Sequence, residues 1–254
     1  MTLILTHITR YGIVHASDSN LTANGKSAGE GKKVFHIPRL NAGLSVAGSY
    51  AVGGTPMNEW MQSFIDQPEP RGETQLGGFA ESLRGALQKQ MRPEERKQGC
   101  FVHLAGYAAD GQQYHPEFWY ISNIHGIEKN GKYSVPDADF KADEEFWRYA
   151  ERRAGWLFFN GSREGRFAIN TLGKSLNDYM SWVWSAGLGF RPPQSLKEVE
   201  GLVKLQMNMV TLLFGMSSFP GPPIGGETRI YSIPPPSVAA NQSDRPGMEA
   251  RKCP

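Results

Sequence analysis

Thr2-Leu3-Ile4-Leu5-Thr6-His7-Ile8-Thr9, followed by Arg10-Tyr11-Gly12 and then Ile13-Val14-His15-Ala16-Ser17-Asp18-Ser19-Asn20, is the stretch on which the fold turns. Two β-rich runs flank a short polar turn, which predicts an antiparallel hairpin. With residues 10–12 as a three-residue loop, Thr9 faces Ile13 and Thr2 faces Asn20. Asp18 then shares a sheet face with Thr2, at the diagonal position. A carboxylate buried there requires a cationic partner. Lys33, opening a further strand over 33–37, is the expected one.

Outward from this hairpin, residues 20–31 read as a polar, Gly-rich loop, and 42–47 as a strand ended by Gly48. Met57, Trp60, Met61, Phe64 and Ile65 recur at helical spacing, as do Leu76, Phe79, Ala80, Leu83 and Leu87. Each set predicts an amphipathic helix with one core-facing stripe. Strands resume at 101–108 and 117–122, with another hairpin expected through Asn130-Gly131. The charged stretch 137–155 holds a short helix expected over 144–153. Residues 156–159 read as a buried strand running into Asn160-Gly161-Ser162. Helices follow over 166–185 and 196–216, then a last strand over 228–233. This order predicts an α+β fold with helices outside two stacked sheets. One domain is expected over 1–233. From Pro234 to the end the chain is Pro-rich, polar and aperiodic, which predicts a disordered tail.

The chain has 254 residues with 27 basic against 25 acidic side chains. That balance argues against nucleic acid or an anionic membrane as the main partner. No apolar run reaches membrane-spanning length, and no signal-peptide pattern opens the sequence, so a cytoplasmic protein is expected. The two cysteines, Cys100 and Cys253, point to no structural disulfide. The six histidines show no metal-ligand spacing, and strand packing or surface positions are expected for them. Neither a metal nor another cofactor is expected. Gly25-Lys26-Ser27 lacks the first glycine of a phosphate loop. Trp182 and Trp184 read as core or subunit-contact residues of one helix, and nothing in the sequence activates Cys100 as a nucleophile.

The chemistry centres on Thr2. Removal of Met1 would leave a threonine whose α-amine can take its own hydroxyl proton. An α-amine with a pKa of about 7.7–8.0 is a base poised near neutral pH. A lysine between Asp18 and Thr2 would keep the local field positive. Gly48 offers a backbone N–H to a tetrahedral oxyanion.

The segments Gly12-Ile-Val-His-Ala-Ser-Asp-Ser19, Lys32-Lys33-Val34 and Val46-Ala47-Gly48 resemble the N-terminal third of proteasome β-subunits, which are N-terminal nucleophile (Ntn) hydrolases. Residues 2–65 carry the resemblance, with an echo at Gly225-Gly226. Among the bacterial proteasome homologues the beta-proteobacterial type is nearest, and the ATPase-dependent two-ring threonine peptidase more distant. The resemblance implies a four-layer αββα sandwich and a threonine-type endopeptidase acting on peptides or unfolded proteins. It implies Thr2 as nucleophile and, through its amine, base, with Lys33 tuning it, Asp18 orienting Lys33 and Gly48 forming the oxyanion hole. The backbones of Thr22 and Gly48 would hold an extended substrate, with Asn20 also among the substrate-binding residues, and Leu21, Phe35, Val46 and Tyr50 would line an apolar pocket. A homo-oligomer of stacked rings is implied, with a tetradecamer as one size, and an ATPase or adaptor partner is left open.

The sequence departs from the pattern in three places. The family's serine after a glycine is matched by Ser162. Its aspartate and serine before the Gly-Gly pair are Gly221 and Ile224 here, and an arginine common after the aspartate-serine pair is Asn20. Two other readings stay open: an Ntn amidase acting on a small molecule, and a ring with weak or no catalysis.

Overall fold

The computed structural model describes residues 2–23, 26–67, 75–110, 113–126, 128, 132–144, 155–161, 163–187, 191–216 and 224–236. Strands β1 (Leu3–Thr9) and β2 (Gly12–Ser17) form the expected antiparallel hairpin, but its loop is one residue shorter than expected. Thr9 pairs with Gly12, leaving Arg10 and Tyr11 as a two-residue turn. The Thr9 side chain explains this: its hydroxyl donates to the Gly12 carbonyl at 3.0 Å and accepts from the Tyr11 N–H at 3.1 Å. Such local side-chain bonds close a tight turn without backbone help. Every cross-strand partner shifts by one as a result. Asp18 lies opposite Leu3, their backbones joined by an Asp18 N–H bond to the Leu3 carbonyl at 3.2 Å, and Thr2 is not opposite Asn20.

The stretch read as a polar loop folds into a two-stranded ribbon, β3 (Asn20–Ala23) and β4 (Lys26–Glu30). All of β4 is exposed, so it has no apolar alternation to betray it. Strands β5 (Val34–Ile37) and β6 (Ala42–Gly48) follow, joined by a 3₁₀ turn at Pro38–Leu40. A short ribbon, β7 (Ala51–Val52) with β8 (Thr55–Pro56), leads into helices α1 (Met57–Asp66) and α2 (Leu76–Gln90) and the single turn α3 (Pro93–Arg96). Strand β9 (Cys100–Asp110) pairs with β10 (Gln113–Ser122). Strand β10 begins at Gln113, four residues before the expected start at Glu117, and so contains Pro116. Strand β11 (Lys141–Glu144) pairs with Trp119–Ser122, so among the described residues the missing Pro116 N–H faces no second strand. Glu144 therefore ends a strand and does not start a helix. The rest of that expected helix, and the Asn130-Gly131 hairpin tip, lie outside the described residues. Strand β12 (Gly155–Gly161), helices α4 (Arg163–Ser185) and α5 (Leu196–Gly215), and strand β13 (Arg229–Ile233) complete the order.

The fold is α+β, with antiparallel sheets. One sheet runs β12-β1-β2-β13 and the other β11-β10-β9-β6-β5. Alternation along β1 sends Leu3 and Leu5 to one face and Ile4 and Ile8 to the other, and both faces are buried. Leu3, Leu5, Val14 and Ala16 pack under α4 and α5. Leu44, Val46, Val102 and Leu104 pack under α1 and α2, against the Met57, Trp60, Met61 and Ile65 stripe and that of Leu76, Phe79, Leu83 and Leu87. Ile8, Ile13, Ala105, Phe118 and Ile233 meet between the sheets, as do Ile4, Ala47, Phe101 and Ile124. Each buried Val, Leu, Ile, Phe or Met among them contributes about 1.5–3 kcal/mol.

The two helical coverings differ on their outer sides. Helices α1 and α2 keep their large apolar groups inside. Helix α5 buries Val199, Val203, Met207, Val210 and Phe214, yet also exposes Leu205, Met209, Leu212, Leu213 and Met216 along one stripe. Helix α4 adds exposed Phe167, Tyr179 and Trp182. Pro234, the first residue past β13, accepts a bond from Asn41 Nδ2 at 3.5 Å, and residues beyond 236 lie outside the described set. No helix among the described residues is long and apolar enough to cross a membrane.

Candidate active site

Asp18 follows the end of β2 and Lys33 precedes β5, so two strand ends bring an ion pair to the edge of the sheet interface. Both side chains are buried. Lys33 Nζ donates to Asp18 Oδ1 at 3.0 Å and to the Asn20 carbonyl at 2.6 Å. Asp18 Oδ1 also accepts from the Leu3 N–H at 2.9 Å, and Oδ2 from the Gly225 N–H at 3.4 Å. The carboxylate thus ties the start of β1 to the segment before β13. Burial lowers the Lys33 pKa, opposed by the Asp18 charge. Burial likewise raises Asp18, opposed by Lys33 and by the Leu3 and Gly225 N–H groups. Desolvation thereby draws the ammonium toward releasing a proton, while the partner keeps it anchored.

Thr2, Lys33 and Gly48 open onto one cavity of about 490 Å³. Of the expected substrate residues, Leu21, Thr22, Val46 and Tyr50 line the same cavity. Tyr50 is fixed by its hydroxyl, which donates to the Lys32 carbonyl at 2.8 Å, and burial pushes its pKa up to about 12. Asp18 stands behind Lys33 and is not among the residues that line the cavity.

Gly48 ends β6 opposite Cys100, with φ of 99°. A Cβ there would lie 2.2 Å from the Gly99 carbonyl oxygen, so the backbone packing requires glycine.

Two expected substrate residues are elsewhere. Phe35 is 1% exposed and belongs to the core under α1 and α2. Alternation along β5 turns it to the helix face, and Lys32 Nζ lies 4.9 Å from its ring centroid. Asn20 contributes its backbone: its N–H bonds Gly225 and its carbonyl holds Lys33, while its side chain accepts from Ser27 Oγ at 2.7 Å. Ser162 and Gly221 lie outside the described residues. Ile224 is fully buried in the apolar cluster under α4 and α5, so it offers no polar support to Thr2.

The sequence reading missed part of the cavity wall: Phe101, Ile124, Tyr133, Ser134 and Gly161. Tyr133 and Ser134 arrive from the chain between β10 and β11, where no periodicity marks them. A larger cleft of about 1030 Å³, beside Arg39, Tyr107 and Trp119, contains none of the candidate catalytic groups. Among the described residues no group of three His, Cys, Asp or Glu side chains could hold a metal ion. Cys100 is buried and its thiol is pushed up to about 12, which makes it inert. No known family model matches the chain, and no curated protein matches it.

Proposed function

We propose that this protein is a threonine-type peptidase of the proteasome-like Ntn hydrolase class, with a four-layer αββα sandwich. The observation that carries the reading is the convergence of Thr2, Lys33 and Gly48 on one cavity, with Asp18 holding Lys33 from behind. The layering is supported by α1 and α2 packing on one sheet, α4 and α5 on the other, and apolar clusters between the sheets.

In this mechanism the exposed Thr2 amine takes the hydroxyl proton as Oγ attacks the scissile carbonyl. The Gly48 N–H receives the oxyanion. The ammonium then returns its proton to the departing amine nitrogen, leaving an ester on Thr2. Water, deprotonated by the same amine, hydrolyses the ester and restores the threonine. Lys33 supplies positive charge beside Oγ throughout. Leu21, Val46 and Tyr50 favour an apolar side chain before the cleaved bond, and the Thr22 backbone takes an extended substrate by strand addition.

Assembly into stacked rings belongs to the same proposal. Phe167, Tyr179 and Trp182 on α4 and Leu205, Met209, Leu212 and Leu213 on α5 are large apolar side chains left exposed on the single chain, as a subunit contact would require. A cytoplasmic location and a peptide or unfolded-protein substrate complete the reading.

A second reading, a ring with weak catalysis, is favoured by one observation: Ile224 is sealed in apolar core where the family pattern has a polar group. Intact mass before and after a peptide epoxyketone, which reacts with both hydroxyl and amine of an N-terminal threonine, separates the two. Loss of Met1 with one adduct per chain is the expected result. A retained Met1, or a bared Thr2 that takes no adduct, overturns the peptidase reading.

A further inference from the structure

Gly161, the last residue of β12, pairs with Leu3 and abuts Thr2. A Cβ at Gly161 would stand 1.8 Å from the Thr2 carbonyl oxygen, and its φ is 137°. The position of Gly161 therefore sets the position of the Thr2 backbone. The Gly161 N–H donates to the Tyr133 hydroxyl at 3.2 Å.

Tyr133 is itself held by two ring contacts. Its ring centroid lies 4.4 Å from that of Phe101 on β9. The Arg166 guanidinium of α4 lies 4.0 Å from the ring centroid on the other contact. A cation over an aromatic face is attractive, more so away from water. One side chain thus links β9, α4 and the end of β12, and also lines the cavity shared by Thr2, Lys33 and Gly48.

We infer that Tyr133 is a positioning residue: by holding the Gly161 amide it fixes Thr2 against Lys33 and Gly48 for attack. The inference rests on the threonine-peptidase reading. It also answers what Ile224 leaves unsupported, because Thr2 is steadied from the β12 side. Misplacing a reacting atom by about 1 Å can cost on the order of a hundredfold in rate, so a single anchoring bond has leverage. Burial raises the Tyr133 pKa while the Gly161 bond and Arg166 oppose it, and the phenol stays protonated at neutral pH.

The test is Tyr133→Phe in the full chain, which keeps both ring contacts and removes only the oxygen. The expected result is a kcat lower by about tenfold with KM within about twofold, the size of one lost anchoring bond. Circular dichroism should match the wild type, and amide exchange at Gly161 should accelerate. Unchanged kcat overturns the inference. A raised KM at unchanged kcat also overturns it, since Tyr133 would then be a substrate contact. A wild type that takes no epoxyketone adduct sinks the peptidase reading instead. Exchange at Gly161 still decides the clamp in that case: acceleration in Tyr133→Phe upholds it, and equal exchange removes it.

Discussion

The sheet pair contains two buried polar groups built in opposite ways. At its open end, Asp18 and Lys33 are charged, and each makes more than one hydrogen bond. In its interior, Thr6 Oγ1 sits 3.1 Å from both His15 Nδ1 and His103 Nδ1. Burial drives both imidazoles down to about 3, so they are neutral. Around them His15 Nε2, Ser17 Oγ and Ser45 Oγ are buried without a hydrogen-bond partner in the described chain. The first group spends every acceptor on keeping a charge beside a cavity. The second tolerates unmet polar atoms and faces no cavity that holds Thr2. A satisfied buried charge next to an opening is what the proposed chemistry needs, whereas an unsatisfied neutral cluster is a structural tolerance.

That contrast can be broken most severely at its open end. Thr2→Ala should reduce peptide hydrolysis by on the order of a thousandfold or more with the fold intact, since the side chain fills no core. Turnover at the wild-type rate would remove Thr2 from the mechanism. Lys33→Ala should be nearly as damaging to turnover and should also cost about 3–5 kcal/mol of stability, because Asp18 is left buried and unpaired. The double variant Lys33→Met with Asp18→Leu should unfold at higher urea than Lys33→Ala, and the reverse order would show that the pair is not coupled.

The interior cluster sets the response to acid. His15 and His103 titrate near 6.5 when unfolded and near 3 when folded, so the unfolded chain binds more protons between those values. Stability is therefore full above about pH 6.5 and falls as pH drops toward 3, by up to about 1.4 kcal/mol per pH unit for each histidine. Urea midpoints at pH 7, 5.5 and 4.5 measure the slope, and a flat profile would place the histidines in contact with water. The smallest effect belongs to Ser45→Ala. Removing a buried hydroxyl that has no partner should leave stability unchanged or raise it by up to about 1 kcal/mol. A clear loss would reveal a bond made by Ser45.

Helices α1, α2, α4 and α5 were legible in the sequence because each carries apolar residues at helical spacing that meet a sheet, whereas the single turn α3 is too short to show a period. Thr2, Lys33 and Gly48 were legible because strand ends put them there whatever the exact register. The register itself was not, because a threonine hydroxyl closing a two-residue turn looks the same in sequence as a three-residue loop. The β3-β4 ribbon was hidden by the full exposure of β4. Phe35 was misplaced because an apolar residue two positions past Lys33 fits either face until the strand's start is known. Tyr133 left no signal, since its role comes from Gly161, Phe101 and Arg166, which are distant from it in the chain.

The outward stripe of α5 has a thermodynamic consequence. In the proposed rings the outer face of a helix that is apolar toward both its own sheet and the outside is completed by association, and association binds only the folded chain. By mass action the melting temperature of the wild type should then climb with protein concentration. Leu212→Lys, in the middle of that stripe, should flatten the dependence and leave each chain with the melting point of a dilute protomer.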